Sequence, residues 1–407
     1  MSEIDFVRLD EGWRERFEAL DAWTWPSSFS IEQRTRLPFS VDWQHTIGLA
    51  DGDRLAAKAA FYPFPELAIP GGRIRANGLT SVSVHPNYRR QGLLRRMIGR
   101  YLEAGVTRGD GLSMLFAQDY EIYGRFGFGH ASDSYNLRIP HGTRLIAPDG
   151  YSADDFSIDF DYADPGRDAP FIHQIQQAQT RPGTPVRELP GFQQHALTSE
   201  FAPGQPLRIL RVARGDEPAG YALFTRPHIS DRAGIAPVTD WNALDAGAEY
   251  ALWQAMADVD LVRIVEAQRV PVDSPLVFML PDPRAATPGV QDDLFARILD
   301  LPVCLASRRY EADLDLVLQI DDPLLPINHG LWRMVISGGR AEVNRAAAGA
   351  AADVSLSISQ LSAAYLGRPV LAGMARADQI VEHVAGSADL LHRAMSWPVQ
   401  PAATWVF

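Results

Sequence analysis

Four residues, Arg89-Arg90-Gln91-Gly92, stand between a segment typical of a strand and a segment typical of an amphipathic helix. β-Branched residues up to Val84, followed by Pro86, indicate the strand, and apolar residues at helical spacing from Leu93 onward indicate the helix. In such a turn the backbone N–H groups converge at the positive end of the helix dipole, where a phosphate or pyrophosphate binds. A side chain at Gly92 would hold the phosphate away from the backbone. The spacing predicts an anion site, although a solvated basic turn would give the same pattern.

The spacing Arg-x-x-Gly-x-Leu, from Arg89 to Leu94, resembles the acetyl-CoA pyrophosphate loop of the GNAT acyltransferases. The usual pattern in that family is Arg/Gln-x-x-Gly-x-Gly/Ala, so Leu94 departs from it at the last position. The loop has neither the GxxxxGKS/T pattern of a P-loop nor the GxGxxG pattern of a dinucleotide fold.

A second segment resembles the same family. An apolar strand is predicted over Leu112–Ala117, and the stretch from Tyr123 to Phe128 then looks like the Tyr-x-x-x-Gly-Phe pattern that follows the fifth strand of GNAT proteins. Acetyl transfer to an amine leaves a CoA thiolate that must be protonated, and a tyrosine near the sulfur can act as the general acid. The resemblance implies this role for Tyr123; a packed aromatic with its hydroxyl at the surface is the alternative.

Composition limits the remaining classes of function. The 407 residues suggest two to four domains, and 46% hydrophobic residues can fill substantial cores. The net charge of −12 argues against nucleic-acid binding, and the absence of a long apolar run predicts no membrane span. The polar N-terminus is unlike a signal peptide, so we expect a cytoplasmic protein. The single Cys304 excludes intrachain disulfides and is expected to fill a core, and no metal-ligand spacing is evident.

The chain is expected to divide into three parts, 1–147, 148–288 and 289–407. The second part predicts a hairpin, Leu207–Ala213 with Ala219–Thr225, followed by a helix over Ala246–Val259 and strands at Leu261–Val265 and Val277–Leu280. This order resembles the first part, but no Arg-x-x-Gly turn precedes the helix. A second cofactor site is therefore not expected.

The third part is predicted to be a small α+β domain. It begins with a predicted helix over Asp292–Asp300. Four strands follow, over Asp313–Ile320, Gly330–Ser337, Ala341–Asn344 and Val354–Ile358, and then three helices, over Gln360–Leu366, Met374–Ile380 and Ala388–Met395.

Taken together, the chain resembles the enhanced intracellular survival (Eis) acetyltransferases along most of its length. The matching pieces are residues 81–86, 89–95, 122–129, 294–302, 353–357 and 365–367, together with an aromatic C-terminus. The resemblance implies a fold of mixed class, α/β and α+β, with tandem GNAT domains followed by a sterol-carrier-protein-like α+β domain. It also implies a homo-hexamer that acetylates amines, including those of aminoglycosides and of lysine side chains.

The resemblance also assigns roles by position. The backbone of Val82 and Val84 would pair with the pantetheine arm, as an added strand would. The pyrophosphate would be held by Arg89, Arg90, Gln91, Gly92, Leu93 and Leu94. Gln118 stands where the family often has a small serine beside the cofactor. Its position implies a contact with the cofactor, but its residue type departs from the family pattern.

The same resemblance makes the C-terminal carboxylate of Phe407 the general base. Amine acetylation needs such a base, and the aromatic tail from Trp397 to Phe407 is unlike a frayed terminus. Val406 replaces an acid that lines the substrate pocket in some members, which makes aminoglycoside recognition a weaker expectation than acetyl transfer.

Several other residues have both a functional and an ordinary interpretation. Trp23, Trp25, Pro26 and Phe29 could line a substrate pocket or belong to the core. Asp21 and Glu32 could attract an amine, but isolated acids usually lie on solvated faces. His85 could relay a proton, but a turn histidine is the simpler interpretation. Two alternatives to a broad amine acetyltransferase stay open: a protein or peptide lysine acetyltransferase, and a non-catalytic lipid-binding or scaffold protein.

Overall fold

The computed structural model describes residues 4–25, 30–36, 41–187, 205–230, 233–286 and 288–407. Three β-sheets with covering helices organise this part of the chain. Strands and helices are numbered in chain order. No helix within the described ranges is long and apolar enough to cross a membrane.

The first sheet has seven strands, and chain neighbours within it are mostly antiparallel. In spatial order the strands are Asp5–Val7 (β1), Thr46–Asp51 (β2), Arg54–Ile69 (β3), Gly72–Val84 (β4), Leu112–Phe116 (β5), Leu294–Ile298 (β15) and Gly129–His130 (β6). The helices are Arg14–Thr24 (α1), Ile31–Arg36 (α2), Leu93–Arg108 (α3) and Tyr120–Gly124 (α4). Helix α3 is the crossover that makes β4 and β5 parallel, and its buried residues Met97, Ile98, Tyr101 and Leu102 pack on the sheet.

The second sheet has eight strands around its own apolar core. In spatial order they are Gly289–Asp292 (β14), Asp133–Pro140 (β7), Val262–Pro271 (β13), Ala233–Ala243 (β12), Glu217–Phe224 (β10), Arg208–Arg214 (β9) and Ser157–Tyr162 (β8), with His228–Ser230 (β11) paired to β12. Helices Pro165–Ala178 (α5), Ala246–Ala257 (α6) and Pro275–Met279 (α7) accompany it. β12, α6 and β13 repeat the strand-helix-parallel-strand order of β4, α3 and β5.

The third sheet has five strands: Arg340–Arg345 (β18), Gly330–Ser337 (β17), Leu314–Asp321 (β16), Val354–Ser357 (β19) and Val381–Glu382 (β20). The helices are Leu301–Ser307 (α8), Ile358–Tyr365 (α9), Leu371–Arg376 (α10) and Ser387–Met395 (α11). Cys304 is buried in α8, as predicted, and burial raises the pKa of its thiol well above the usual range. A buried pair, Arg297 of β15 and Asp322 after β16, joins the first and third sheets at 2.7 and 2.8 Å.

Two predicted elements are wrong in type. Asp292–Asp300 is not a helix, because Leu294–Ile298 forms a central strand in which all five residues are buried. Val277–Leu280 is not a strand, because Ser274 caps a short helix that has Pro275 at its first turn. A short, fully apolar run does not distinguish a helix from a buried strand. The predicted hairpin at β9 and β10 and the four strands of the third sheet are confirmed. The predicted helix at Met374–Ile380 lies a few residues earlier, as α10.

The expected domain boundaries after residues 147 and 288 stay predictions. The structure adds that β7, which precedes the first boundary, pairs in the second sheet. β14 and β15, which follow the second boundary, pair in the second and first sheets respectively. The chain thus returns to both earlier sheets before it enters the third.

Candidate active site

The strands β4 and β5 separate within the first sheet. They pair at three rungs, of which Gly78 opposite Met114 is the last, while β4 continues to Val84 and β5 to Phe116. Within the described residues, the edge of β4 beyond Gly78 that faces β5 has no ladder partner. Val82 lies on this stretch with Val84. Its open backbone groups are suited to pairing with an extended ligand.

A buried tyrosine links the two strands one rung before the last one that they share. The hydroxyl of Tyr101, on α3, donates to Asn77 Oδ1 and lies 2.6 Å from Ser113 Oγ. Asn77 and Ser113 face each other across β4 and β5. No sequence pattern marks this group, because Tyr101 has the helical spacing of an ordinary core residue.

Beyond the separation, β4 is irregular. The register between β3 and β4 shifts between Lys58 and Ala60, and Ser81 has a φ of +49°. A bulge of this kind twists a strand and redirects its free edge. It therefore helps to hold the end of β4 away from β5.

The loop after β4 ends in an uncapped helix start. Gly92 is the N-cap of α3 with a φ of +77°, and no side chain of the described residues caps it. Arg89 through Gly92 are exposed, Leu93 is buried and Leu94 is half-buried. A Cβ on Gly92 would meet no described atom within 4 Å, so the protein itself requires glycine there only for the backbone conformation. The free N–H groups and exposed arginines fit a phosphate-bearing group.

Tyr123 lies on α4, directly after β5. Its carbonyl accepts hydrogen bonds from the N–H groups of Phe126 and Phe128, and its ring meets that of Phe128 edge-on at 5.9 Å between centroids. Within the described residues its hydroxyl has no hydrogen-bond partner. Burial raises the pKa of Tyr123 to about 12, so the phenol stays protonated at neutral pH.

The C-terminal residue lies where β4 and β5 part. A Cβ at Gly78 would be 2.5 Å from two ring carbons of Phe407, so that ring rests on the glycine backbone. Its ring centroid is 4.8 Å from that of Phe116, 5.1 Å from that of Phe64 and 5.6 Å from that of Trp405. Only 8% of Phe407 is exposed, so the tail is not frayed in this structure.

A buried carboxylate holds the tail in this position. Asp293, between β14 and β15, accepts the Ala403 N–H at 3.3 Å and the Ser132 hydroxyl at 3.2 Å. It also pairs with Arg269, whose guanidinium lies 4.4 Å from the centre of the Phe116 ring. The tail is thus fastened to both of the first two sheets.

Nearer the start of the tail, Arg181 Nη1 donates to the Gln400 carbonyl at 2.7 Å and to Asp273 at 2.5 Å. The same Asp273 accepts the Gln400 N–H. Sequence reasoning missed these anchors, since lone aspartates carry no recognisable signal.

The remaining candidate residues are either exposed or held in ion pairs. Gln118 is exposed after β5, and Val406 is 51% exposed between two buried aromatics. Asp21 belongs to an ionic cluster in which its carboxylate lies 2.6 Å from both Lys58 Nζ and Arg34 Nη2. Glu32 pairs with Arg36. These pairings leave Asp21 little capacity to attract an amine.

One of the aromatic candidates, Trp23, lies near the start of the loop. Trp23 is exposed, and its ring is 5.7 Å from that of His85. His85 accepts the Asn87 N–H, which is the ordinary role of a turn histidine. Pro26 and Phe29 lie outside the described residues.

The fold and the open strand pair define the GNAT class of acyltransferases, and comparison with known proteins agrees. Two segments, residues 12–131 and 183–298, match acetyltransferase (GNAT) domain families, and residues 301–404 match a sterol carrier protein domain family. The chain is 33% identical over 329 residues to an uncharacterized N-acetyltransferase of Streptomyces coelicolor, covering 79% of this chain and 78% of the relative.

Two further similar proteins carry the name Eis. The N-acetyltransferase Eis of Mycobacterium tuberculosis is 28% identical over 330 residues, covering 79% of this chain and 78% of Eis. The crystal structure of Eis1 from Mycobacterium abscessus superposes with a TM-score of 0.83 over the whole of both chains, at 24% identity. The chain belongs to the Eis-type GNAT N-acetyltransferases.

Proposed function

We propose that the protein transfers the acetyl group of acetyl-CoA to amines, with Tyr123 as general acid and the C-terminal carboxylate of Phe407 as general base. The observation that carries the proposal is the position of Phe407, whose ring covers Gly78 at the last rung shared by β4 and β5. A chain end buried there brings a carboxylate to the opening between the strands.

The residues around this opening fit an acyl-CoA. The free edge of β4 at Val82 and Val84 would pair with the pantetheine arm, and the loop from Arg89 to Leu94 would hold the pyrophosphate. Acetyl-CoA supplies the acetyl group as a thioester. Gln118 is exposed at the mouth of the opening, where a contact with the cofactor is possible without rearrangement of the core.

Tyr123 suits the role of acid because its proton is retained. Burial raises its pKa to about 12, so the phenol stays protonated in the physiological pH range and ionisation removes no donor there. The same low-dielectric surroundings favour protonation of a departing sulfur anion. Its hydroxyl, which has no partner within the described residues, is free to donate.

The Phe407 carboxylate suits the role of base because packing fixes the chain end. Contacts with Phe64, Phe116 and Trp405 hold its ring, and Asp293 holds the backbone at Ala403. A carboxylate held in place at the opening can act as a general base. It would take a proton from the attacking ammonium or from a bridging water.

We propose small-molecule primary amines as substrates, with aminoglycosides as the first candidates. The neighbourhood of Trp23 and His85 is where such a molecule would approach the opening from solvent. A homo-hexameric assembly and a cytoplasmic location are further expectations from the family.

The test is a thiol-release assay with acetyl-CoA against aminoglycosides, polyamines and lysine peptides. The substitution Tyr123→Phe removes the proton donor and keeps the ring. Turnover should fall about 10²-fold or more, with little change in acetyl-CoA affinity. The exposed Tyr120→Phe, on the same short helix, is the matched control and should retain its activity. Unaltered turnover in Tyr123→Phe would assign protonation to another group, and activity on lysine peptides alone would favour a protein acetyltransferase.

A further inference from the structure

We propose a binding site for a small apolar carboxylic acid in a cavity lined by all three parts of the chain, at a place in the second sheet that corresponds by topology to the opening in the first sheet. β12 and β13 run parallel and pair from Gly234 to Val238, after which the pairing ends. β4 and β5 separate in the same way beyond Gly78. A cavity of about 680 Å³ lies at the carboxyl end of β12.

All three parts of the chain form its wall. The second domain contributes the end of β12 and the start of α6, from Trp241 to Ala246, together with Glu249, Pro271 and Ser274. The first domain contributes the hairpin between β3 and β4, and the C-terminal tail contributes Trp397, Val399 and Thr404. A volume of this size accommodates a small organic molecule.

The helix start that would hold a phosphate is closed here. Asp245 caps α6 by accepting the Ala248 N–H at 2.9 Å, and it pairs with Arg214 at 2.8 Å. Gly92 leaves the corresponding position on α3 uncapped. A carboxylate at the N-cap repels a phosphate, so this helix start is not a second pyrophosphate site.

The acidic and basic groups of the wall are mostly occupied. Glu249 accepts the Ser274 hydroxyl and the Leu276 N–H, and burial raises its pKa, which reduces the negative charge facing the cavity. Arg181 donates to Asp273 and to the Gln400 carbonyl. These groups have little capacity left for a ligand.

Two buried donors of the wall make no hydrogen bond within the described residues. Thr404 is 95% buried, since only 5% of it is exposed, and within the described residues its hydroxyl has no hydrogen-bond partner. Arg73 Nη1 is also buried, and it makes no hydrogen bond within the described residues. It lies 3.5 Å from the Glu66 carboxylate. The other terminal nitrogen, Nη2, donates to the carbonyls of Gln177 and Gln179. A buried donor without a partner is unfavourable, and a ligand acceptor would satisfy it.

The rest of the wall is largely apolar. Two tryptophans, Trp241 and Trp397, face the cavity with Ile69, Pro271 and Val399. A ligand that suits both features has an apolar body and an anionic acceptor: the body lies against the tryptophans and the carboxylate meets Arg73 and Thr404. Coenzyme A, polyamines and aminoglycosides do not combine these features.

The test uses calorimetry on the full chain with two probes, octanoate and 3-phenylpropionate, in protein saturated with coenzyme A. We expect one submillimolar site per chain for at least one probe. Arg73→Met should weaken it about tenfold or more, because a charged hydrogen bond is lost, and Thr404→Val should weaken it about threefold to tenfold. Thr404→Ser keeps the hydroxyl and should bind like the unaltered protein. Ala246→Phe, which fills the cavity from the start of α6, should abolish binding.

Coenzyme A binding in each variant verifies that the protein is folded. Failure of both probes to bind at millimolar concentration would overturn the proposal. So would binding that Arg73→Met and Ala246→Phe leave unchanged, which would place the acid elsewhere, for example in the sterol-carrier-like domain. The result is independent of catalysis, because no catalytic residue is altered.

Discussion

Gly78→Ala tests whether the chain end belongs to the active site. The added Cβ would lie 2.5 Å from two ring carbons of Phe407 and 2.6 Å from Phe64 Cε2. Phe64 is only 1% exposed and belongs to β3, whereas Phe407 is 8% exposed and lies outside any strand or helix. The ring of Phe407 should therefore be the group that shifts.

The expected magnitude follows from this contact. An ordinary carbon contact needs at least 3.4 Å, so the ring must move by roughly 1 Å, and a misplacement of that size can lower a rate about 10²-fold. Overpacking of this kind lowers the free energy of unfolding by about 1–3 kcal/mol. We expect turnover to fall about 10²-fold with every amine, with acetyl-CoA affinity changed much less.

The assay is steady-state thiol release, combined with calorimetry for acetyl-CoA and a urea unfolding curve. Gly99→Ala is the matched control, because its Cβ would meet no described atom within 4 Å on α3 and alanine favours a helix. That variant should keep its turnover and gain about 0.5–1 kcal/mol of stability. Normal turnover in a folded Gly78→Ala protein would show that the position of Phe407 does not matter to catalysis.

Three further predictions concern the cofactor loop, the chain end and the core. Acetyl-CoA should bind at one site per chain and should not bind to the Arg89→Glu/Gly92→Glu double variant; calorimetry that finds two sites, or retained binding, would contradict this. Amidation of Phe407, which removes the carboxylate charge in place, should lower turnover with every amine and leave acetyl-CoA binding intact; an unchanged rate would rule out the terminus as base. Arg297→Met leaves Asp322 buried without its cation and should lower the free energy of unfolding by about 3–5 kcal/mol in urea, whereas Arg333→Met, which breaks the exposed pair with Asp315, should change the midpoint little.

The local sequence was enough to predict the strand, the turn and the helix around the Arg89–Gly92 loop. The strand that ends at Val84, the exposed turn from Arg89 to Gly92 and the helix from Leu93 are all present in the structure. These features depend on neighbours within a few residues: β-branched side chains, a proline, a glycine and helical apolar spacing. The loop and the Tyr123 segment therefore pointed to the family before any fold was known.

The sequence failed where burial on both faces removes periodicity. Leu294–Ile298 is a strand with neighbours on both sides, and all five of its residues are buried. A short run of buried residues is equally typical of a helix. The partners of this strand in β5 lie far away in the chain, and nothing local records a pairing with them.

What the sequence by itself determined was the domain class, the exposed arginine-glycine turn and the aromatic character of the tail. Only the tertiary structure decided that the tail ends on Gly78, that Asp293 and Arg269 hold it, and that Tyr101 links β4 to β5 one rung before the last one that they share. Loop geometry is set by short-range sterics, which residue types and spacing express directly. The position of a chain end depends instead on long-range packing, and no single residue type reports it.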